Sequence, residues 1–205
     1  GDRVYETTNA ADLWTALSTP ASNGWTATSG IDSIGLSKSD INTIYAATGS
    51  SLFVTTNHGA SWTNRPIGVF GTIADIQVDP VISTTAYAVL ASFTSGGNVF
   101  KTTNGGTNWT NISGNLPSQP VWSLQLGAAA GTIYVGGDDG VYSTTNGGTT
   151  WSRLGTGFPH AQVFQIEFNS ALGILGAATH GRSAWEILTA NPPDLTVSMG
   201  HTGNF

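Results

Sequence analysis

The sequence predicts an all-β fold made of repeated four-stranded antiparallel units, and three observations support this prediction. A nine-residue motif recurs at a near-constant interval, which indicates a structural repeat rather than a single site. Each interval contains four short runs rich in β-branched and aromatic residues, separated by Pro, Gly and Ser. No window has the apolar periodicity of an amphipathic helix. Four strands in a repeat of this length are typical of a β-propeller, in which each repeat forms one blade.

The recurring motif reads Thr-x-Asn-x-Gly-x-x-Trp, and we call it the hairpin motif. Its asparagine lies at positions 57, 104 and 146, and a worn copy, "ETTNAADLW", has it at position 9, so the spacings are 48, 47 and 42 residues. The worn copy lacks both glycines. The intact copies read "VTTNHGASW", "KTTNGGTNW" and "STTNGGTTW".

Each residue type of the hairpin motif has a role in folding. The motif lies between the third and fourth runs of each repeat, where the chain must reverse. The Thr hydroxyl and the Asn amide can bond to the backbone of the turn, and Gly supplies a positive φ. The Trp ring can fold under the turn, where its N–H needs an acceptor. None of these side chains titrates near neutral pH, so we predict structural positions and no catalytic residue: Thr55, Asn57, Gly59 and Trp62; Thr102, Asn104, Gly106 and Trp109; Thr144, Asn146, Gly148 and Trp151.

The strand runs divide the chain into blades. We expect propeller blades over 1–188 and a linker with the start of an immunoglobulin-like repeat at 189–205, to which "LTVSM" would contribute a strand; a tail without that fold is the alternative. The runs predict about four to five blade units in residues 1–188. These units form either the C-terminal half of a larger propeller or a compact ring. The expected units are a partial blade at 1–17, complete blades at about 31–66, 73–113 and 120–155, and a terminal blade at 161–188.

The hairpin motif resembles the Asp-box, or bacterial neuraminidase repeat, with Asn in place of the usual Asp. Such boxes mark sialidases, xyloglucanase-type glycoside hydrolases, sortilin-like receptors and photosystem assembly factors. In those families the box is a structural hairpin on the face away from the ligand. The stretch "AATHGRSAWEI" at 177–187 resembles the end of the last blade in exported bacterial propellers of this class. The resemblance implies the fold and leaves the function open.

The composition excludes several classes of partner. Only 9% of the residues are charged, the net charge is −6, and Lys and Arg together number six. A chain without a basic stripe is not expected to bind nucleic acid, and no apolar run is long enough for membrane insertion. There is no cysteine, so disulfides and thiolate metal sites do not occur. The Thr-, Asn- and Gly-rich composition favours an exported bacterial protein at the cell surface or outside the cell.

The candidate ligand-binding residues lie opposite the hairpin motifs. Loops between second and third strands and connections between blades share that face, and they differ from blade to blade, whereas the motifs are nearly identical. Variable loops on a rigid frame usually carry binding. The aromatic and histidine residues expected there are Trp25, Phe70, Phe93, Trp122, Phe158 and His160. The alternative for each aromatic ring is that it seals a blade junction, in which case it is buried.

No catalytic or metal constellation stands out. Asp138 and Asp139 in "GGDDG" indicate a turn, and adjacent residues cannot by themselves form the facing acid pair of a glycosidase. His160 and His180 have no nearby ligand cluster in the sequence, so we expect no metal and no cofactor. The stretch "NRPIG" at 64–68 does not match the Arg-Ile-Pro motif of sialidases.

These observations favour a non-catalytic propeller module that binds a carbohydrate or a protein, with self-association or further domains of a parent chain as added contacts. Two alternatives stay open. In the first, the chain is a fragment of a xyloglucanase-type glycoside hydrolase. In the second, it is an assembly factor that binds a membrane-protein complex.

Overall fold

The computed structural model describes residues 1–93 and 97–189, and every regular element in these ranges is a β-strand. The chain is all-β, as the repeat predicts. The described ranges contain no helix of the length and apolarity needed to cross a membrane. Residues from 190 onward, where the sequence predicts an immunoglobulin-like start, lie outside the described part of the chain.

The described strands form a short N-terminal hairpin, three four-stranded blades and one three-stranded blade, each antiparallel and in chain order. The N-terminal hairpin pairs β1 (Tyr5–Glu6) with β2 (Thr15–Ala16). The first blade contains β3 (Ser33–Leu36), β4 (Ile44–Thr48), β5 (Ser51–Thr55) and β6 (Thr63–Asn64). The second contains β7 (Thr72–Val78), β8 (Ala86–Ala91), β9 (Val99–Thr102) and β10 (Thr110–Asn111). The third contains β11 (Val121–Leu126), β12 (Ile133–Gly137), β13 (Gly140–Thr144) and β14 (Ser152–Leu154), and the fourth contains β15 (Val163–Asn169), β16 (Ile174–Thr179) and β17 (Ala184–Leu188). The fold is a partial β-propeller.

The hairpin motif closes on itself through local hydrogen bonds. In the second blade the Thr102 hydroxyl accepts the backbone N–H of Gly106 at 2.9 Å and donates to the Asn104 carbonyl oxygen at 3.0 Å. That amide oxygen also accepts the N–H of Asn108 at 2.9 Å. The same bonds recur in the other intact copies. The worn copy keeps them too, although Ala11 stands there at a φ of 73°.

The Trp of each intact motif connects its blade to the preceding one. Its indole N–H donates to the backbone carbonyl that lies three residues past the Trp of the preceding copy. The three pairs are Trp62 with Leu17 at 2.9 Å, Trp109 with Arg65 at 3.3 Å, and Trp151 with Ile112 at 3.0 Å. The motif therefore stabilises the junction between blades as well as its own turn.

Each junction between consecutive blades buries its own apolar cluster, so the core is divided rather than continuous. The innermost strands β3, β7, β11 and β15 also contact one another in turn. The clusters include fully buried side chains: Tyr45, Leu52, Ile73 and Ile76 between the first and second blades, Val89, Leu124 and Ile133 between the second and third, and Val163, Ile166 and Leu175 between the third and fourth.

One side of the first blade is apolar and exposed. Ile34 and Leu36 on β3 are 44% and 63% exposed, whereas Ile76 and Val78 occupy the same register on β7 and are buried. These residues line a groove of about 380 Å³ next to the N-terminal hairpin.

Three innermost strands carry a β-bulge at the same place. The pairing of β7, β11 and β15 with their neighbours skips one residue in each strand: Ala74, Trp122 and Phe164. A bulge leaves the extra residue unpaired and re-aims its side chain. The bulges therefore place two aromatic residues next to the loops opposite the hairpin motifs.

Candidate binding surface

The turn between β12 and β13 consists of Asp138 and Asp139. It confirms the turn predicted for "DDG", and Gly140 follows it with a φ of 126°. Because the strands of a blade alternate in direction, this turn lies on the opposite side from the hairpin motif of the same blade. We call the side of the blades on which this turn lies, opposite the hairpin motifs, the loop face.

The Asp138 carboxylate joins the third and fourth blades. Its Oδ1 accepts the indole N–H of Trp122 and the side-chain N–H of Gln162, each at 2.8 Å. Trp122 is the bulge residue of β11, and Gln162 immediately precedes β15. The carboxylate thus fixes the orientation of a half-buried indole ring at the loop face.

The Asp139 carboxylate forms a second polar group beside the first. Its Oδ1 pairs with Nδ1 of His160, and its Oδ2 accepts the Tyr142 hydroxyl at 3.4 Å. Desolvation by burial is the main cause that raises the pKa of Tyr142, so the hydroxyl is protonated and able to donate at neutral pH.

Arg153 holds the connection between the third and fourth blades in place. Its guanidinium donates to the backbone carbonyls of Asp139 at 3.1 Å, Phe158 at 3.1 Å and Pro159 at 2.9 Å. Three carbonyl acceptors for one planar donor group restrict the loop that carries His160. The loop face is consequently held by side chains rather than by strand pairing alone.

A row of aromatic rings borders these polar groups. The rings of Trp122 and Phe164 meet edge to face with centroids 5.4 Å apart, and Phe164 meets His180 in the same way at 5.8 Å. Phe164 is 43% exposed and His180 is exposed. Together with Asp138 and Asp139, these rings offer stacking surface next to hydrogen-bonding groups.

Two of the predicted ligand-binding residues are buried and are not exposed on the loop face. Trp25 is fully buried: its ring packs against Phe53 and Trp62, and its N–H donates to the carbonyl of Asp2 at 2.8 Å. Phe158 is 5% exposed and belongs to the cluster between the third and fourth blades. The prediction was wrong for these two, because each ring seals a junction, as the alternative had stated.

The other predicted residues fall into two groups. Trp122 and His160 come together at the loop face through the two aspartates. Phe70 and Phe93 are 88% and 76% exposed, and neither ring packs against another aromatic ring within residues 1–93 and 97–189. Their role in binding stays a prediction.

Sequence reasoning missed Phe164 and Gln162. A signal was available, since "VWSL" at 121–124 and "VFQI" at 163–166 share the order valine, aromatic, polar, aliphatic at the start of an innermost strand. The described residues hold no group of three or more His, Asp and Glu that could bind a metal ion.

Sequence comparisons identify no relative of this chain: no family model matches it, and no curated protein matches it. Comparison of structures is informative. A structure of YCF48 bound to D1 peptide superposes with a TM-score of 0.68 at 15% identity, covering 92% of this chain and 59% of that one. The fold is that of a β-propeller.

Two glycoside hydrolase structures are also similar to the chain. The GH74 xyloglucanase from Xanthomonas campestris has a TM-score of 0.63 at 14% identity, covering 82% of this chain and 30% of that one. The GH74 enzyme of Niastella koreensis has a TM-score of 0.58 at 20% identity, covering 73% and 26%. The chain therefore spans less than two thirds of each of these neighbours, and at such identities the likeness shows the fold alone.

Proposed function

We propose that this chain is a non-catalytic binding segment of a β-propeller and that its ligand, a carbohydrate or a protein, docks on the loop face. The observation that carries the proposal is the row of Trp122, Phe164 and His180 beside the Asp138 and Asp139 carboxylates. Exposed rings next to hydrogen-bonding groups suit stacking on a sugar or packing against a peptide.

The two ligand classes have support from different neighbours. A xyloglucanase is named among the glycoside hydrolase structures, and YCF48 was solved with a peptide bound. The charge-poor, Thr- and Asn-rich composition favours an extracellular or cell-surface location, where either ligand is accessible. The hairpin motifs, as Asp-boxes, would then have a structural role on the other face.

The polar groups at the loop face favour binding over acid-base catalysis. Asp138 accepts hydrogen bonds from two side chains, and Asp139 is paired with His160 and Tyr142. A catalytic pair requires two carboxyl groups facing each other across the substrate, whereas these two are neighbours in one turn.

Titration calorimetry against soluble xyloglucan, other plant and bacterial polysaccharides, and D1-type peptides tests the proposal. We expect Trp122→Ala and Phe164→Ala each to weaken binding by about tenfold or more, since central aromatic residues dominate interfaces. The control is Asn108→Ala, which changes the exposed side of a hairpin motif and should leave affinity unaltered. Loss of binding in the control with retention in both aromatic variants would place the site on the wrong face.

A glycoside hydrolase fragment remains the second candidate, favoured by the GH74 neighbours. If the longer protein hydrolyses polysaccharides, Asp138→Asn with Asp139→Asn should leave the turnover rate unchanged under our proposal. A thousandfold loss of rate in a folded double variant would favour the hydrolase instead.

A further inference from the structure

The rings at the loop face do not form a flat platform. The planes of Trp122 and Phe164 are tilted by 63° and those of Phe164 and His180 by 83°, so consecutive rings meet edge to face. A sugar ring stacks flat on an aromatic face, so a chain of sugars needs several faces in nearly one plane. Tilted rings suit a single side chain instead, because it can contact the face of one ring and the edge of the next.

The strongest hydrogen-bond donors at the loop face are already occupied within the protein. The indole N–H of Trp122 and the side-chain N–H of Gln162 both donate to Asp138, and the guanidinium of Arg153 donates to three backbone carbonyls. A sugar hydroxyl both donates and accepts hydrogen bonds, so a sugar site needs free donors as well as acceptors. The occupied donors therefore disfavour a polysaccharide.

The charge of the Asp138 carboxylate is not neutralised by a cation. Its Oδ1 accepts two neutral donors at 2.8 Å each, and no donor within residues 1–93 and 97–189 bonds to its Oδ2. All six lysine and arginine residues of the sequence lie in these ranges, and none of them forms an ion pair with Asp138 or Asp139. Because hydrogen bonds between ionised partners are about twice as strong as neutral ones, the Oδ2 atom favours a cationic group from a ligand.

On the basis of the binding function proposed above, we propose that the ligand of the loop face is a basic polypeptide. One lysine or arginine side chain of this polypeptide bonds to Oδ2 of Asp138 through its charged end, and its aliphatic stem packs on Trp122 and Phe164. Both side chains bury their methylene groups on apolar surface while the charged end stays among polar groups. Trp122 is half-buried and Phe164 is 43% exposed, so their rings offer this surface beside the carboxylate.

Arg182 provides a test of the sign of the ligand's charge. It is exposed and lies between β16 and β17, in a loop of the same face. Its positive charge repels a cationic ligand and attracts an anionic one. Arg182→Gln should therefore strengthen the binding of a basic group, whereas weaker binding in this variant would show that the ligand is anionic and would overturn the proposal.

The probe for the proposed site is Nα-acetylarginine methylamide, and its matched control is the citrulline analogue, which has a similar shape but no charge. Each compound is titrated into the full chain, and the NMR signals of the Trp122 indole N–H and the Gln162 side-chain amide are followed. We expect the arginine compound to shift both signals with a Kd of about 1 to 10 mM. The citrulline compound should bind about tenfold more weakly or less. Raising the NaCl concentration from about 0.05 M to about 0.5 M should weaken the binding of the arginine compound.

Three variants of the chain separate charge from ring packing. Asp138→Asn loses the charge but keeps an oxygen that can accept the Trp122 N–H, so it should weaken binding of the arginine compound by about tenfold while the unliganded indole signal stays near its position. Phe164→Leu keeps an apolar side chain without the ring and should weaken binding by about threefold or more. Asp12→Asn removes the same charge between β1 and β2, away from the loop face, and should bind as the wild type does.

The outcomes distinguish this proposal from the binding function on which it rests. Equal affinity for the arginine and citrulline compounds would overturn the basic ligand, because the charge would not be recognised. A shift of the Trp122 signal by xyloglucan and by neither small compound would also overturn it, while the binding function of the loop face would stand. No shift with polysaccharides, peptides or either compound would overturn both.

Discussion

Two adjacent glycines of the third intact hairpin motif allow two effects on stability to be measured separately: backbone strain and the packing of one blade against the next. Gly147 and Gly148 have φ values of 69° and 93°. A Cβ on Gly147 would meet no atom within 4 Å, whereas one on Gly148 would lie 2.2 Å from the carbonyl oxygen of Ile112. The second contact is with the backbone of the preceding blade, which cannot turn away as a side chain can.

We therefore predict that Gly147→Ala lowers the free energy of unfolding by about 1 kcal/mol, through positive-φ strain alone. Gly148→Ala should cost about 3 kcal/mol or more, because strain and overpacking act together. Urea denaturation of both variants measures the difference. Equal costs would mean that the motif does not contribute to the blade junction.

The worn motif offers a stabilising change at the same scale. Ala11 has a φ of 73° and occupies the position of the motif glycine. Ala11→Gly should raise the free energy of unfolding by about 0.5 to 1 kcal/mol, because the relief of strain exceeds the entropy that glycine loses. Ala60→Gly, at an exposed position of an intact motif without positive φ, is the matched control and should be destabilising. A loss of stability in both variants would contradict the prediction.

At the scale of elements, His58 connects the N-terminal hairpin to the first blade. Its Nε2 bonds to Glu6 at 2.8 Å and its Nδ1 to the carbonyl of Ile41 at 3.2 Å. Only the protonated ring can donate both bonds at once. The bond to the Ile41 carbonyl, followed by the bond to Glu6, raises the pKa of His58 above its usual value.

Because the pKa of His58 is higher in the folded state, protonation of His58 stabilises the folded protein. This contribution is fully present below the unfolded-state pKa of 6.5 and is lost as the pH rises through the folded-state pKa. The gap in unfolding temperature between the wild type and His58→Gln should thus be wider at about pH 5.5 than at about pH 8. Calorimetry at both pH values measures it, with His180→Gln as the control. A gap that does not change with pH would exclude the protonated bridge.

At the scale of the whole molecule, Asp75 joins three blades near the innermost strands. Its Oδ2 accepts the N–H of Leu124 on β11 at 2.9 Å, and its Oδ1 accepts the hydroxyl of Ser33 on β3 at 3.4 Å and the N–H of Ile76 at 2.8 Å. Desolvation by burial outweighs these donors and raises the pKa of Asp75.

The sign of this shift gives a prediction. Because the folded-state pKa of Asp75 lies above the unfolded-state value of 3.8, protonation of Asp75 favours the folded state. The stability that this protonation contributes is fully present below 3.8 and is lost as the pH rises through the folded-state pKa. The wild type should therefore gain stability relative to Asp75→Asn as the pH falls from about 7 to about 3.5. Other carboxyl groups are common to both proteins and cancel in the difference. If the wild type instead loses stability relative to Asp75→Asn at low pH, the three hydrogen-bond donors outweigh desolvation, and the folded state favours the ionised form of Asp75.

Much of the fold could be predicted from particular residues, and less of the binding surface. The period of the hairpin motif and the runs between its copies indicated the order and pairing of the strands. Trp122 and His160 were expected at the loop face and lie there. Trp25 and Phe158 were expected beside them and are buried, and Phe164 was not expected at all. The sequence alone does not distinguish an aromatic loop residue whose ring seals a blade junction from one whose ring is exposed to solvent.

The sequence by itself determined the hairpins and hence the blades, because the bonds that define them are local: Thr102 reaches Asn104 and Gly106 within four residues. Only the tertiary structure decided which surfaces are free. Trp25 is buried by a carbonyl and rings from other parts of the chain, and Trp122 is oriented by a carboxylate sixteen residues away. Burial depends on which blade lies next to which, and that adjacency is a property of packing rather than of any short stretch of sequence.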